Sequence, residues 1–258
     1  MKALPPGTIL QLTYLRERLQ KLKPGLFLEI GPGSGEISSL LLTLGWRGKA
    51  YDLEPSTVEH LRVRFAKEIQ EGRYTVNVED YLTSNTQSST VDLIISCMVM
   101  EHLDDTLEPI FMQRSHDFIK PAGIMIGFVP SSPSHWGIED DIAGHCRRYT
   151  RDSLQKLISG NRWQTHHMTG LTYPISNVLL PLSNFLVQRS EKSKLDMSEI
   201  EKTKASGIRH VKFKTTFPSI LSLLLNRWTL TPLHWMQKIF SGSDDALVLY
   251  FEARPIVD

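Results

Sequence analysis

Cysteine is nearly missing from this chain of 258 residues: Cys97 and Cys146 are the only two, and neither belongs to a CxxC pair. That argues against a disulfide framework and a cysteine zinc site, and it fits a reducing compartment. Excess charge of either sign is missing too, since 29 Lys and Arg stand against 28 Asp and Glu, for a formal net charge of +1. A protein built around duplex phosphates carries a strong basic excess, so nucleic acid is not an expected partner. No uncharged apolar run reaches the roughly 18 residues that span a bilayer. The first seven residues, Met1-Lys2-Ala3-Leu4-Pro5-Pro6-Gly7, lack the apolar core of a signal peptide. A cytoplasmic protein is expected, peripheral to a membrane at most. What is present is ordinary: 41% hydrophobic and 22% charged residues, enough for one large domain or a domain with a sizeable insertion.

Short apolar runs alternate with helical patterns along the first two thirds of the chain. Strands are expected at Gly25–Ile30, Gly48–Leu53, Arg73–Val78, Val91–Ser96 and Ile124–Val129, the last entered through a turn at Lys120-Pro121-Ala122-Gly123. Between them, a helix from Glu36 to about Leu44 is stopped by Gly45. Ser56-Thr57-Val58-Glu59 reads as a capping box for a helix burying Val58, Leu61, Phe65 and Ile69. Asp105 is expected to cap a helix whose Leu107, Ile110, Phe111 and Phe118 face inward, and Thr150 one that ends at Gly160. Gln164–Thr169 and Ala246–Ala253 complete the strands. This rhythm implies an α/β fold, a parallel sheet covered on both faces. Between the last two strands lie two apolar patches, Leu171–Val187 and Phe217–Phe240, flanking a connector, Gln188–Lys214, with eight Lys and Arg against four Asp and Glu. They read as a helical insertion.

The most informative residues are Leu28-Glu29-Ile30-Gly31-Pro32-Gly33-Ser34-Gly35, set between a strand and a helix. Glycines there let the backbone turn sharply and let a ligand approach the helix N–H groups. A dinucleotide fingerprint needs glycine at position 36, where Glu36 stands. The spacing suits a ligand with an adenosine and no phosphates. Asp52, in Tyr51-Asp52-Leu53-Glu54, ends the next strand, where one carboxylate can accept from two ribose hydroxyls.

Glu29-x-Gly31-x-Gly33-x-Gly35 followed by Asp52 resembles the first motifs of class I S-adenosylmethionine-dependent methyltransferases. Val78-Glu79-Asp80-Tyr81 and the run Asp92 to Leu103, which ends Met98-Val99-Met100-Glu101-His102-Leu103, are similar to that family's third and fourth motifs in its small-molecule and quinone branch. The resemblance covers residues 25 to 170 and the final strand. It implies a doubly wound Rossmann-like methyltransferase sheet of seven strands, the last antiparallel. The expected layout is an N-terminal helical segment at 1–24, a cofactor-binding domain at 25–170 and 246–258, and a helical insertion at 171–245 acting as substrate lid or interface. It implies S-adenosylmethionine as cofactor and S-adenosylhomocysteine as product. Glu29, Gly31, Gly33 and Gly35 would hold the methionine end and ribose, with Asp52 and Leu53 beside the ribose. Asp80 and Tyr81 would lie near the adenine, and Cys97 would line the cleft.

Methyl transfer from a sulfonium needs alignment and, for a hydroxyl acceptor, a group to take the proton. Glu101 and His102 after the fourth strand and His145 in Gly144-His145-Cys146-Arg147-Arg148-Tyr149-Thr150 are the catalytic candidates. His135, Trp136, Arg147 and Arg148 are the substrate-binding candidates, the arginines for a phosphate or carboxylate. The same residues read equally well as ties that hold the loop down. Family members with a Gly-His-x-Arg-Arg-Tyr-Thr stretch commonly stand near glycan or lipid biosynthesis. Cys97 is a poor ligand for a hard ion, Asp104-Asp105 read as a cap, and His166-His167 would point to opposite strand faces; no metal is expected. The expected function is O-methylation of a small or lipid- or glycan-linked acceptor. The alternatives are a quinone or polyketide-like acceptor, or a cofactor-binding partner protein without turnover. The apolar insertion and its basic connector, with Arg209, Lys212 and Lys214, suit peripheral contact with lipid. The oligomeric state is open.

Overall fold

Four apolar residues and Glu29, Leu26–Ile30, form β1 inside the sheet, between β2 (Arg47–Asp52) and β4 (Val91–Cys97). Successive side chains of a strand point to opposite faces. Phe27 therefore enters a core with Leu41, Trp46, Leu61 and Tyr74, while Leu28 and Ile30 enter a second core with Phe111, Met112 and Ile94 on the other face. Both faces are covered, which is why the strands read as nearly continuous apolar runs. A computed structural model describes residues 3–84, 91–191, 201–202 and 217–257.

With β3 (Tyr74–Val78), β5 (Ile119–Pro130), β6 (Trp163–Leu171) and β7 (Val248–Pro255), the sheet has seven strands in the order β3-β2-β1-β4-β5-β7-β6. The pairs β1–β2, β1–β4, β2–β3 and β4–β5 are parallel, and β7 runs antiparallel to both β5 and β6. The winding reverses between β1 and β4, which opens a crevice beyond their carboxyl ends, the usual ligand position in open α/β sheets. This is the Rossmann-like methyltransferase arrangement expected from the sequence.

The helices are α1 (Pro6–Leu19), α2 (Glu36–Thr43), α3 (Pro55–Arg64), α4 (Ala66–Gln70), α5 (Leu107–Phe118), α6 (Ile138–Ala143), α7 (Arg151–Gly160), α8 (Ile175–Glu191) and α9 (Thr231–Ile239). Leu10, Leu15 and Leu19 of α1 are buried, and its Arg18 makes a bidentate pair with Glu252 of β7 at 2.6 and 2.7 Å. Between β6 and β7 the chain forms α8, a short 3-10 turn at Ser219–Leu223, and α9. Gln237 of α9 donates to the Leu10 carbonyl (3.1 Å) and accepts from the Thr172 amide (2.9 Å), tying this region to α1 and to the end of β6. Most of the charged connector, with Arg209, Lys212 and Lys214, lies outside the described residues. Among the described residues no helix is long and apolar enough to cross a membrane.

Local expectations are corrected at several points. The Ser56–Glu59 capping box does not form: α3 starts at Pro55, whose fixed φ suits a first helical position, and Glu54 caps it by accepting from the Ser56 amide at 3.3 Å. At α5 the cap is Asp104, whose Oδ1 accepts from the amides of Thr106 (2.8 Å) and Leu107 (2.9 Å), while Asp105 is solvent-exposed. Leu107 and Ile110 face out because the buried stripe runs through Glu108, Phe111, Met112, Ser115 and Phe118, two of whose positions are polar and hydrogen-bonded inside. Lys120–Gly123 is no turn but the irregular start of β5, where the register slips between Val91 and Leu93 and Lys120 reaches Asp92 at 2.8 Å.

Candidate active site

The loop after β1 is shaped by its glycines. Gly31 (φ +67°) and Gly35 (φ +81°) lie in the left-handed region that side chains disfavour. A Cβ on Gly31 would fall 2.6 Å from Val99, and one on Gly35 would fall 2.5 Å from Leu61. Gly33, at φ +50°, completes the turn into α2. Glu36, where a dinucleotide fold needs glycine, points outward and pairs with Arg64 at 2.8 Å. Val99 follows β4, so the Gly31 contact sets the loops after β1 and β4 against each other across the crevice.

Two carboxylates face this turn. Glu29 is buried, accepts from Ser38 Oγ of α2, and Ser38 Oγ is also 3.0 Å from the Tyr74 hydroxyl. Burial, reinforced by the charge of Asp52, pushes the Glu29 carboxyl up to about 7. Asp52, at the end of β2, accepts from the Glu54 amide at 2.9 Å and from the backbone of Gly33, and burial raises it above the usual range. A glycine cradle flanked by two carboxylates in low dielectric fits a ligand that carries positive charge and hydroxyl donors. Leu53 is exposed beside Asp52. Cys97 ends β4, its thiol raised by burial and by the charges of Glu101 and Glu29. Asp80 is exposed, with Oδ1 on the Leu82 amide at 2.9 Å. The Tyr81 ring packs edge-on to Phe111 and its hydroxyl meets Ser115 Oγ at 3.1 Å, so its side chain is part of the core.

The three catalytic candidates come together. Glu101 and His102 lie on a single 3-10 turn after β4, and His145 reaches them from the loop beyond β5 and α6. Glu101 is wholly buried, with neither carboxylate oxygen hydrogen-bonded among the described residues, and burial pushes it up to about 7. His145 Nε2 lies 3.8 Å from Glu101 Oε1, and its Nδ1 lies 2.8 Å from Asp140 Oδ1. His102 Nδ1 meets the Gly144 carbonyl at 3.2 Å, and its ring stands edge-on to His145 at 4.9 Å. Burial and the neighbouring His145 hold His102 down to about 4.

The two arginines, expected to bind substrate, are tied into the scaffold. Arg148 Nε binds Asp140 at 2.9 Å and its Nη1 the Ser131 carbonyl at 3.0 Å. Arg147 spans Glu108, Asp105 and the Leu103 carbonyl, each at 2.9 Å. Both guanidiniums hold the loops beyond β4 and β5 together. His135 bonds Ser132 Oγ at 2.8 Å and lies 3.5 Å from Asn177 of α8, and the exposed Trp136 donates to Asp141 at 2.9 Å. The sequence reading passed over Asp140, which binds His145 and Arg148 and also caps α6 through the Gly137 amide at 2.9 Å. Its one signal is the run Glu139-Asp140-Asp141, which reads as ordinary compensation of a helix N-terminus.

Comparison with known proteins agrees with this geometry. The fold matches a Burkholderia thailandensis 1,6-didemethyltoxoflavin N1-methyltransferase, crystallised with its substrate and S-adenosylhomocysteine, at 17% identity, TM-score 0.52, over 65% of this chain and 73% of that one. It matches the Synechocystis PCC 6803 magnesium protoporphyrin IX methyltransferase at 14% identity, TM-score 0.54, over 64% and 77% of the two chains. A candidate sarcosine dimethylglycine methyltransferase from Galdieria sulphuraria aligns over 95% of this chain and 84% of its own, at 13% identity and TM-score 0.58. No curated protein matches the chain. The family described as "Methyltransferase domain" matches residues 9–166. With that match over more than half its length and the glycine loop and strand order in place, the chain belongs to the methyltransferase family, as a member of its class I S-adenosylmethionine-dependent type.

Proposed function

We propose that this methyltransferase moves the methyl group of S-adenosylmethionine to an oxygen of a small or lipid-linked acceptor that docks at the Glu101–His102–His145 cluster. One observation supports this above the others. The glycine loop follows β1 and the cluster follows β4, its parallel neighbour, so both share the crevice at the carboxyl ends of these strands. Glu29 and Asp52 would hold the cationic methionine end and the ribose hydroxyls. The acceptor oxygen would attack in line: its lone pair forms the new C–O bond while the S–CH3 pair returns to sulfur, and the hydroxyl proton departs through the polar cluster. Alignment supplies most of such a rate enhancement, since the sulfonium is already activated.

An apolar or lipid-borne acceptor is favoured by the surface between β6 and β7. Leu182 and Phe185 of α8 and Trp235 and Ile239 of α9 are exposed. Arg227 and Lys238 lie over the faces of Trp228 and Trp235, at 4.4 and 4.8 Å. Aromatic rings with cations beside them suit a boundary between acyl chains and anionic headgroups. The test is calorimetric titration with S-adenosylhomocysteine, with NAD as control, then methyl transfer from labelled cofactor to lipid and soluble extracts. Binding of S-adenosylhomocysteine with label entering an organic-soluble product is the expected result. Binding with label entering no extract would leave a cofactor-binding partner protein and overturn the enzymatic reading.

A further inference from the structure

We propose that Glu101, His102 and His145 form a site for one divalent transition-metal ion of the zinc class. Their ligand atoms already lie within 4.8 Å of one another. The first observation is Glu101 itself. Its side chain is wholly buried, and neither oxygen has a hydrogen-bond partner among the described residues. Buried carboxylates are paired, protonated or bound to metal. His145 Nε2 is 3.8 Å from Oε1, too far for a hydrogen bond. That separation lies near the about 3.4 Å expected between two ligand atoms on one tetrahedral zinc.

The second observation is the orientation of the imidazoles. His145 Nδ1 faces the Asp140 carboxylate at 2.8 Å, and His102 Nδ1 faces the Gly144 carbonyl at 3.2 Å. An oxygen acceptor requires the proton on Nδ1, so in the neutral ring the lone pair is on Nε2. Metal-binding histidines are commonly arranged this way, the second nitrogen tied to a carboxylate or carbonyl that fixes the ring and raises its basicity. Asp140 is itself anchored by Arg148 and the Gly137 amide.

Two imidazole nitrogens and one carboxylate oxygen favour zinc or cobalt over the all-oxygen ions magnesium and calcium. Three protein ligands also leave a coordination position open, as in catalytic metal sites. The sequence expectation of no metal weighed Cys97, Asp104-Asp105 and His166-His167 but not a pairing of Glu101 with His145. Binding of the ion stands on this geometry alone. Its use in polarising an acceptor hydroxyl rests on the methyl-transfer reading.

The test uses the full chain, stripped with EDTA, exchanged into chelator-free buffer and titrated with Co(II). One equivalent is expected to bind with visible d–d absorption and to be displaced by one equivalent of Zn(II). Glu101→Gln and His145→Gln should each weaken binding about tenfold or more, and Cys146→Ser should leave it unchanged. Asp140→Asn should shift the visible bands, which loss of packing alone would not do. No Co(II) binding below millimolar concentration overturns the site. So does equal binding in both His145→Gln and Glu101→Gln, or a thiolate charge-transfer band that Cys146→Ser removes. If one of the two variants fails to fold, the other decides. S-adenosylhomocysteine titration of the same samples separates the two readings. Its failure with Co(II) still bound sinks the methyl-transfer reading alone, and the reverse pattern sinks the metal site alone.

Discussion

Glutamine in place of Glu29 should stabilise the free protein at alkaline pH while weakening its hold on the cofactor. The carboxyl is buried, and its pKa rises from 4.5 to about 7, chiefly through desolvation. A folded-state value above the unfolded one means that the native state binds the proton more tightly. Below pH 4.5 both states are protonated and the native state is at its most favourable. Between 4.5 and about 7 the unfolded chain ionises first, and stability falls as pH rises; above 7 both are ionised and the loss is complete. At about 1.4 kcal/mol per unit, a shift of this size amounts to about 3 kcal/mol. Glu29→Gln removes that titration and keeps an oxygen for Ser38. The assay is urea unfolding of wild type and variant from pH 5 to 8, followed by tryptophan fluorescence. The informative quantity is the difference between the two proteins at each pH. Any fixed cost of the buried amide cancels from its slope, as does titration elsewhere. The difference should move in the variant's favour by about 2–3 kcal/mol across that range, while affinity for S-adenosylhomocysteine falls. A flat difference would refute the reasoning, because it would mean that Glu29 ionises as readily in the folded protein as in the unfolded chain.

Four further outcomes follow from the same geometry. Asp52→Ala should weaken S-adenosylhomocysteine binding by about 1–3 kcal/mol, the cost of a lost charged hydrogen bond, with calorimetry as the measurement and unchanged affinity as the contrary result. Gly31→Ala must place a Cβ 2.6 Å from Val99 at φ +67°, and a melting curve should show a loss of about 2–4 kcal/mol from strain and overpacking. Arg148→Met leaves the buried Asp140 carboxylate without its guanidinium, so urea unfolding should show a loss of about 3–5 kcal/mol; a loss under 1 kcal/mol would mean that Arg148 is not structural. Replacing Trp228 and Trp235 together with serine should reduce co-sedimentation with anionic vesicles and leave S-adenosylhomocysteine affinity intact. Equal sedimentation would remove the lipid-facing reading.

How far the fold could be read in advance depends on how locally each feature is encoded. The strands of a sheet buried on both faces are continuous apolar runs, so β1, β4 and β5 are visible without knowing their neighbours. The glycine loop and Asp52 are legible for the same reason, because a strand, a turn and a helix start lie within one short stretch. Helix phase is less well encoded. Asp104 and Asp105 are chemically identical, and only the backbone decides which carboxylate reaches the Thr106 and Leu107 amides. The inward face is likewise hidden, because two of its positions are the polar Glu108 and Ser115, so Leu107 and Ile110 look like the better candidates.

The Gly144–Thr150 stretch shows why site chemistry is harder still. Two arginines and a histidine in a loop look like ligands for an anion as long as their partners are unknown. Their partners are acids that carry no distinguishing local signal: Asp140 in an acidic helix start, and Glu108 in the first turn of α5, where it accepts from Arg147 and Tyr149. With these acids in place, both guanidiniums are bound into the scaffold, and the loop beyond β5 is bound to the loop beyond β4. One group escapes that account. Asp140 takes Nδ1 of His145 and so turns Nε2 toward the Glu101 carboxylate 3.8 Å away, which has no hydrogen-bond partner among the described residues. A buckle that served stability alone would be better off with an apolar residue at position 101, since a buried, unpartnered carboxylate only costs free energy. Its presence beside a histidine held in one tautomer is the strongest physical reason to place chemistry at this point of the crevice.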